Sequence, residues 1–270
     1  MNPIRSKEDM ISAIRTIGMV PFSRCSVPGW SIQEMTDPDF WFTSSDQLGP
    51  WDWKIEALHD GLVYGRFIDR SSCFATEEMY RHLMNWRRSR PYYKMAEGGR
   101  YKAVTINDRL HKYIAPAILA AIRENGSLES SALRGVVERD VPVNVRKKVG
   151  GYIGKHLLPK VDKQATDAVM GYLDMGTWTL VGDVTRVYRG PNCEYKGWQR
   201  NTLSTPEALL DVIQKPSENP FWVKFIDDST DLHEPAKIDC SPEESRRFII
   251  ERIRQFFPDA TAAIEKLIDG

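Results

Sequence analysis

Apolar residues fall into helical register almost from the start of the chain. Met10, Ile11, Ile14 and Ile17 follow Ser6, a good N-cap with Asp9 three residues on, and Gly18 and Pro21 stop the pattern. Between residues 19 and 53 the periodicity disappears. Trp30, Phe40, Trp41, Phe42, Trp51 and Trp53 crowd this stretch, with Pro28-Gly29 and Gly49-Pro50 as punctuation, so an irregular aromatic segment is predicted. Residues 61–69 have the composition of a strand. Thr76 is placed to cap a helix whose apolar members are Met79, Leu83, Met84 and Trp86. The strongest helical stripe, Leu110, Ile114, Ile118, Leu119 and Ile122, predicts a helix over 108–125, with a kink or break at Pro116 and a stop at Asn125-Gly126.

A short turn with Ser130 as N-cap then leads into a second helix carrying Leu133, Val136 and Val137, which together make a helix-turn-helix opening. A basic insertion over 140–163 follows. The next helix, 164–173, is the candidate recognition helix. Residues 177–181 are β-rich, and 186–188 and 195–203 flank a turn at 189–192. Strand, loop and strand after a third helix make a winged helix, with the loop as its wing. Thr205-Pro206 and Ser241-Pro242 each start a further helix. The predicted fold class is therefore α+β and mainly helical, with winged-helix architecture, single or in tandem; no sequence repeat is visible. The expected domains are an N-terminal α/β region over 1–107, a winged helix over 108–210, and a C-terminal helical region over 211–270 that packs on the rest.

Composition narrows the function classes. The chain has 270 residues, is 41% apolar and 10% aromatic, and has room for a sizeable core. Its longest nearly apolar run, Ile114 to Ile122, is too short to span a membrane, and no secretory signal precedes the first helix. Four scattered cysteines without a CxxC suggest reduced thiols and a cytoplasmic location, with no metal and no cofactor expected. Net charge is zero, but the charge is segregated. Residues 100–163 hold 13 basic and 6 acidic residues, and residues 164–270 hold 12 basic and 18 acidic. A basic belt on a neutral chain is able to draw in a polyanion, although charge runs are more often solvated faces.

Certain stretches resemble a known family. Asn125-Gly-Ser-Leu128 before Ser131-Ala-Leu-Arg134, Leu173-Asp-Met-Gly-Thr-Trp178 running on to Asp183, and Tyr195-Lys-Gly-Trp198 followed by Ser204-Thr-Pro-Glu-Ala208 are similar to the AlkZ-related proteins. These belong with the AlkZ and YcaQ winged-helix DNA glycosylases. In the N-terminal half Gly49-Pro-Trp-Asp-Trp-Lys54 carries the likeness, and Ser241-Pro-Glu-Glu-Ser245 carries it in the tail. The resemblance implies double-stranded DNA, damaged by alkylation, as the partner and hydrolysis of a purine N-glycosidic bond as the reaction. The family's Gln-x-Gln or Gln-x-Asp motif is absent from the six glutamines of this chain.

Glycoside hydrolysis passes through an oxocarbenium-like sugar that a carboxylate stabilises, and an alkylated purine is already a good leaving group. Asp52, flanked by two tryptophans, is the candidate carboxylate, with Lys54 and Arg66 as further polar candidates. Trp51 and Trp53 are candidate surfaces for stacking a base. Equally, the tryptophans are core and Asp52 caps a turn or pairs with Lys54. Candidate DNA contacts are Lys147, Lys148, Arg186, Arg189 and Lys196, long cations in the insertion and wing that suit phosphates. A non-catalytic DNA-binding or regulatory protein and a winged helix used for protein contact are the alternatives.

Overall fold

The structure, a computed structural model, describes residues 3–42, 47–98, 105–141, 163–189, 191–213 and 238–270. The chain opens with α1 (Lys7–Ile17), capped by Ser6, whose hydroxyl accepts from the Asp9 amide. Gly18 ends it at φ +95°, and a Cβ there would stand 2.7 Å from the Met79 side chain, so both backbone and packing require glycine. Then come β1 (Met19–Pro21), α2 (Ile32–Met35), α3 (Pro50–His59), β2 (Val63–Ile68) and β3 (Ser71–Ala75). The three strands form an antiparallel sheet in the order β1-β3-β2. Asp69 and Arg70 both take positive φ in the two-residue turn between β2 and β3, the backbone that matches strand twist.

After α4 (Glu77–Ser89) and a 3-10 turn at Tyr93–Glu97, a second run of elements begins. It comprises α5 (Ile106–Asn125), β4 (Ser127–Glu129), α6 (Ser130–Asp140), α7 (Lys163–Met175), β5 (Leu180–Arg189) and β6 (Glu194–Ser204). Its sheet order is β4-β6-β5, also antiparallel. Among the described residues, helix, strand, helix, helix and hairpin therefore occur twice, each time with the first strand paired to the last. The sequence shows no trace of this repeat. The chain closes with α8 (Pro206–Ile213), α9 (Pro242–Arg254) and α10 (Thr261–Asp269).

Several local expectations hold and several fail. Thr76 caps α4, and the Ser241–Glu244 capping box starts α9. The helix expected over 108–125 runs from 106, with a Thr105–Asp108 capping box, and continues through Pro116. Ser127–Glu129, expected as a turn, is a strand paired with β6, and the cap position before α6 falls to Glu129 rather than Ser130. The segment over 19–53, expected to be irregular, holds β1, α2 and the start of α3. The basic insertion lies almost wholly outside the described residues, which stop at 141 and resume at 163.

Two apolar clusters hold the molecule together. The first joins α1, the β1-β3-β2 sheet, α4, α9 and α10, and takes in Leu180, Val181 and Val184 of β5. The second lies among α5, α6 and α7, closed by Tyr93, Met95, Trp178 and Leu203. Arg87 sits at their junction, fully buried, and donates to the carbonyls of Phe67, Met175, Leu267 and Ile268. Three of these carbonyls lie at the C-terminal ends of α7 and α10, where helix dipoles favour a cation.

Candidate functional site at the first turn of α3

Gly49-Pro50 starts α3 by the usual logic: an extended N-cap followed by proline at the first helical position, where its missing N–H costs nothing. No cap side chain serves this helix end. Trp51, Asp52 and Lys54 therefore fall in its first turns. Trp51 is 40% exposed, whereas Trp53 is buried in the first core and offers no face to a ligand. Of the two tryptophans proposed to stack a base, only Trp51 is available.

Asp52 is 0% exposed. Its Oδ1 accepts from the Tyr195 hydroxyl at 2.8 Å, from Arg186 Nε at 3.3 Å and from Gln199 Nε2 at 3.4 Å. All three donors come from the β5–β6 hairpin of the second unit. Gln199 also donates to the Trp51 carbonyl at 2.9 Å and to the Tyr195 hydroxyl at 3.0 Å. Burial pushes the Tyr195 phenol up, which keeps it protonated and able to donate. Arg186 therefore faces inward, with Glu56 as a second, looser partner at 3.7 Å.

The first unit returns the favour. Arg66 of β2 pairs at 2.9 Å with Asp174 of α7, whose other oxygen accepts from the Thr179 hydroxyl. Burial pushes the Asp174 carboxyl up, and Arg66 and Thr179 pull it back. The Arg70 amide on the β2–β3 turn also points at the Met175 sulfur. Each unit's hairpin thus places an arginine on an aspartate of the other unit's third helix. Arg66 belongs to this second clasp, and Asp174 is its partner.

Lys54 is 6% exposed. Among the described residues no acceptor takes a hydrogen bond from its amine, which lies 5.4 Å from the centroid of the Trp51 ring, within cation–π reach. Burial pushes this amine down to about 8, against the pull of Asp52.

Around this helix end stand exposed aromatic rings. Phe42 is the most exposed large apolar side chain among the described residues, and Trp41 links it to Trp51 at centroid distances of 6.3 and 5.8 Å. On the hairpin Tyr188 is exposed and lies 5.8 Å from Tyr195. Neither Phe42 nor Tyr188 was singled out from the sequence. No local signal marks Tyr188, because the hairpin register shifts between Arg186 and Tyr188. A cleft of about 600 Å³ opens nearby between α1 and α3, lined by side chains of both charges including Arg15, Glu56 and Asp60. Asp52 does not line it.

The remaining candidates are dispersed. Lys147 and Lys148 lie outside the described residues, and the side chains of Arg189 and Lys196 are likewise not described, although both positions lie in the hairpin. The expected recognition helix, α7, is buried or half-buried at every described side chain from Thr166 to Met175. That is the pattern of an internal helix, not of one lying in a DNA groove.

Fold and site together define a helical α/β protein made of two like units, each clasping the other through a hairpin arginine. The chain belongs to the AlkZ-related family, whose model matches residues 4–269. No curated protein and no solved structure matches it. No helix among the described residues is long and apolar enough to cross a membrane.

Proposed function

We propose that this protein is a DNA-binding tandem winged-helix protein of the glycosylase lineage, which hydrolyses the N-glycosidic bond of alkylated purines in duplex DNA. The β5–β6 hairpin, with Arg189 and Lys196, is the wing that meets phosphates. Lys147 and Lys148 of the insertion extend that contact. Trp51 is the ring on which an unstacked base lies, with Phe42 and Tyr188 beside it. Asp52 is the carboxylate that faces the cationic sugar.

One observation carries this reading. A half-exposed tryptophan and a buried carboxylate are consecutive at one helix start, and the wing of the second unit lies on them. In the unbound protein the hairpin donors fill the Asp52 oxygen, so catalysis requires the hairpin to lift when DNA takes its place. Membership of the AlkZ-related family supports the same reading.

The filled carboxylate also favours a second reading, a non-catalytic DNA-binding protein, and the missing glutamine motif agrees with it. Base release from duplex DNA carrying N7- or N3-alkylated purines separates the two. Release by the wild type and its loss in Asp52→Asn, with the fold checked by circular dichroism, is the expected result. Salt-dependent binding without release selects the non-catalytic reading.

A further inference from the structure

Lys54 is an amine the reading above does not use. A buried lysine usually has a carboxylate beside it or several acceptors around its ammonium. Here two neighbouring acceptors serve other donors. Asp52 Oδ1 is shared by Tyr195, Arg186 and Gln199, and the Trp51 carbonyl accepts from Gln199. What Lys54 has is the ring of Trp51, which is itself 40% exposed. The amine therefore lies one ring away from solvent, against the surface proposed to hold an unstacked base.

An amine in such a place has a particular chemistry. With an ordinary value of 10.5 brought down to about 8 by burial, and with Asp52 as the opposing charge, roughly a tenth is unprotonated at pH 7 and about half at pH 8. Unprotonated amines are nucleophiles toward aldehydes. The aldehyde that belongs with DNA is the ring-opened sugar left where a base has been lost. Such a site has no base to unstack, so its sugar reaches an inner amine at little cost.

We infer that Lys54 captures the aldehyde of an abasic deoxyribose as an imine, an activity separate from base hydrolysis at Asp52. The Nζ lone pair adds to C1′ and forms the C–N bond. Two amine protons pass to the former carbonyl oxygen, which departs as water, and the C=N bond remains. No oxidant or metal enters the balance. The inference rests on the DNA-binding reading, because that reading brings the sugar to α3.

The test is borohydride trapping on a duplex with a single abasic site, alongside a binding titration of the same duplex. A covalent adduct is expected in the wild type, mapped to Lys54 by peptide mass spectrometry. The yield should drop about tenfold or more in Lys54→Met and in Lys54→Arg. The trapping rate should rise with pH through about 8 in the wild type. Lys54→Arg keeps charge and bulk, so loss of adduct in a folded Lys54→Arg variant assigns the chemistry to the amine. An adduct on another lysine, or tight binding of the duplex with no adduct, overturns the assignment and leaves the DNA-binding reading standing. No binding of the duplex at any salt concentration overturns both.

Discussion

His111 is almost fully buried and stacks on Tyr172 with ring centroids 3.9 Å apart, while the Tyr92 hydroxyl meets its Nδ1 at 3.4 Å. Burial pushes this imidazole down to about 4, with Arg70 adding to the effect and Asp108 opposing it. The folded protein therefore carries a neutral ring over a pH range in which the unfolded chain takes up a proton. Stability contributed by this group is complete above pH 6.5 and is lost as pH falls toward about 4. Thermal melts across that window should show the loss, on the order of 3 kcal/mol, and His111→Phe should flatten the curve. A curve equally steep in His111→Phe would place the acid sensitivity elsewhere. The same physics, burial outweighing a nearby carboxylate, lowers Lys54. The sequence around residues 51–54 singled out Trp51, Asp52, Trp53 and Lys54, but not which of them would be sealed. Trp53 turned inward and Trp51 outward because the face of α3 that carries Trp53 packs into the core.

Element by element, the sequence was most legible where one helix carries one apolar stripe and its own cap. α1, α4, α5 and α9 are of that kind, and their caps are the serines and threonines their sequences offer. It was least legible where an element depends on a partner far along the chain. β1 is three residues long and exists through its pairing with β3, and β4 exists through β6. α3 starts at Gly49-Pro50 amid aromatic residues that gave no helical period. The clasps between the two units are also long-range, Arg186 to Asp52 and Arg66 to Asp174, and nothing local announces them. They are not equivalent. Asp52 keeps Tyr195 and Gln199 when Arg186 is lost, whereas among the described residues Asp174 keeps only the Thr179 side chain when Arg66 is lost. Arg66→Met should therefore cost about 3 kcal/mol in chemical denaturation, and Arg186→Met about half of that. The reverse order would mean that the β5–β6 hairpin, not β2–β3, is the stronger tie.

Across the whole molecule, zero net charge hides a basic middle and an acidic last third. α7 is turned inward at every described side chain and held by the first unit's hairpin, so it presents no face for reading base edges in a groove. On the proposed reading, DNA contact falls to the hairpin and the insertion, through phosphates, and to the aromatic rim of α3, through an unstacked base. Such binding is weakly dependent on sequence and strongly dependent on salt. The direct test is the equilibrium affinity for duplex DNA measured over a range of salt concentrations. The account predicts binding whose log affinity falls linearly with log salt, at a slope of about −3 to −5, one unit shallower in Lys196→Ala. An affinity that is absent at low salt, or indifferent to salt, would contradict it.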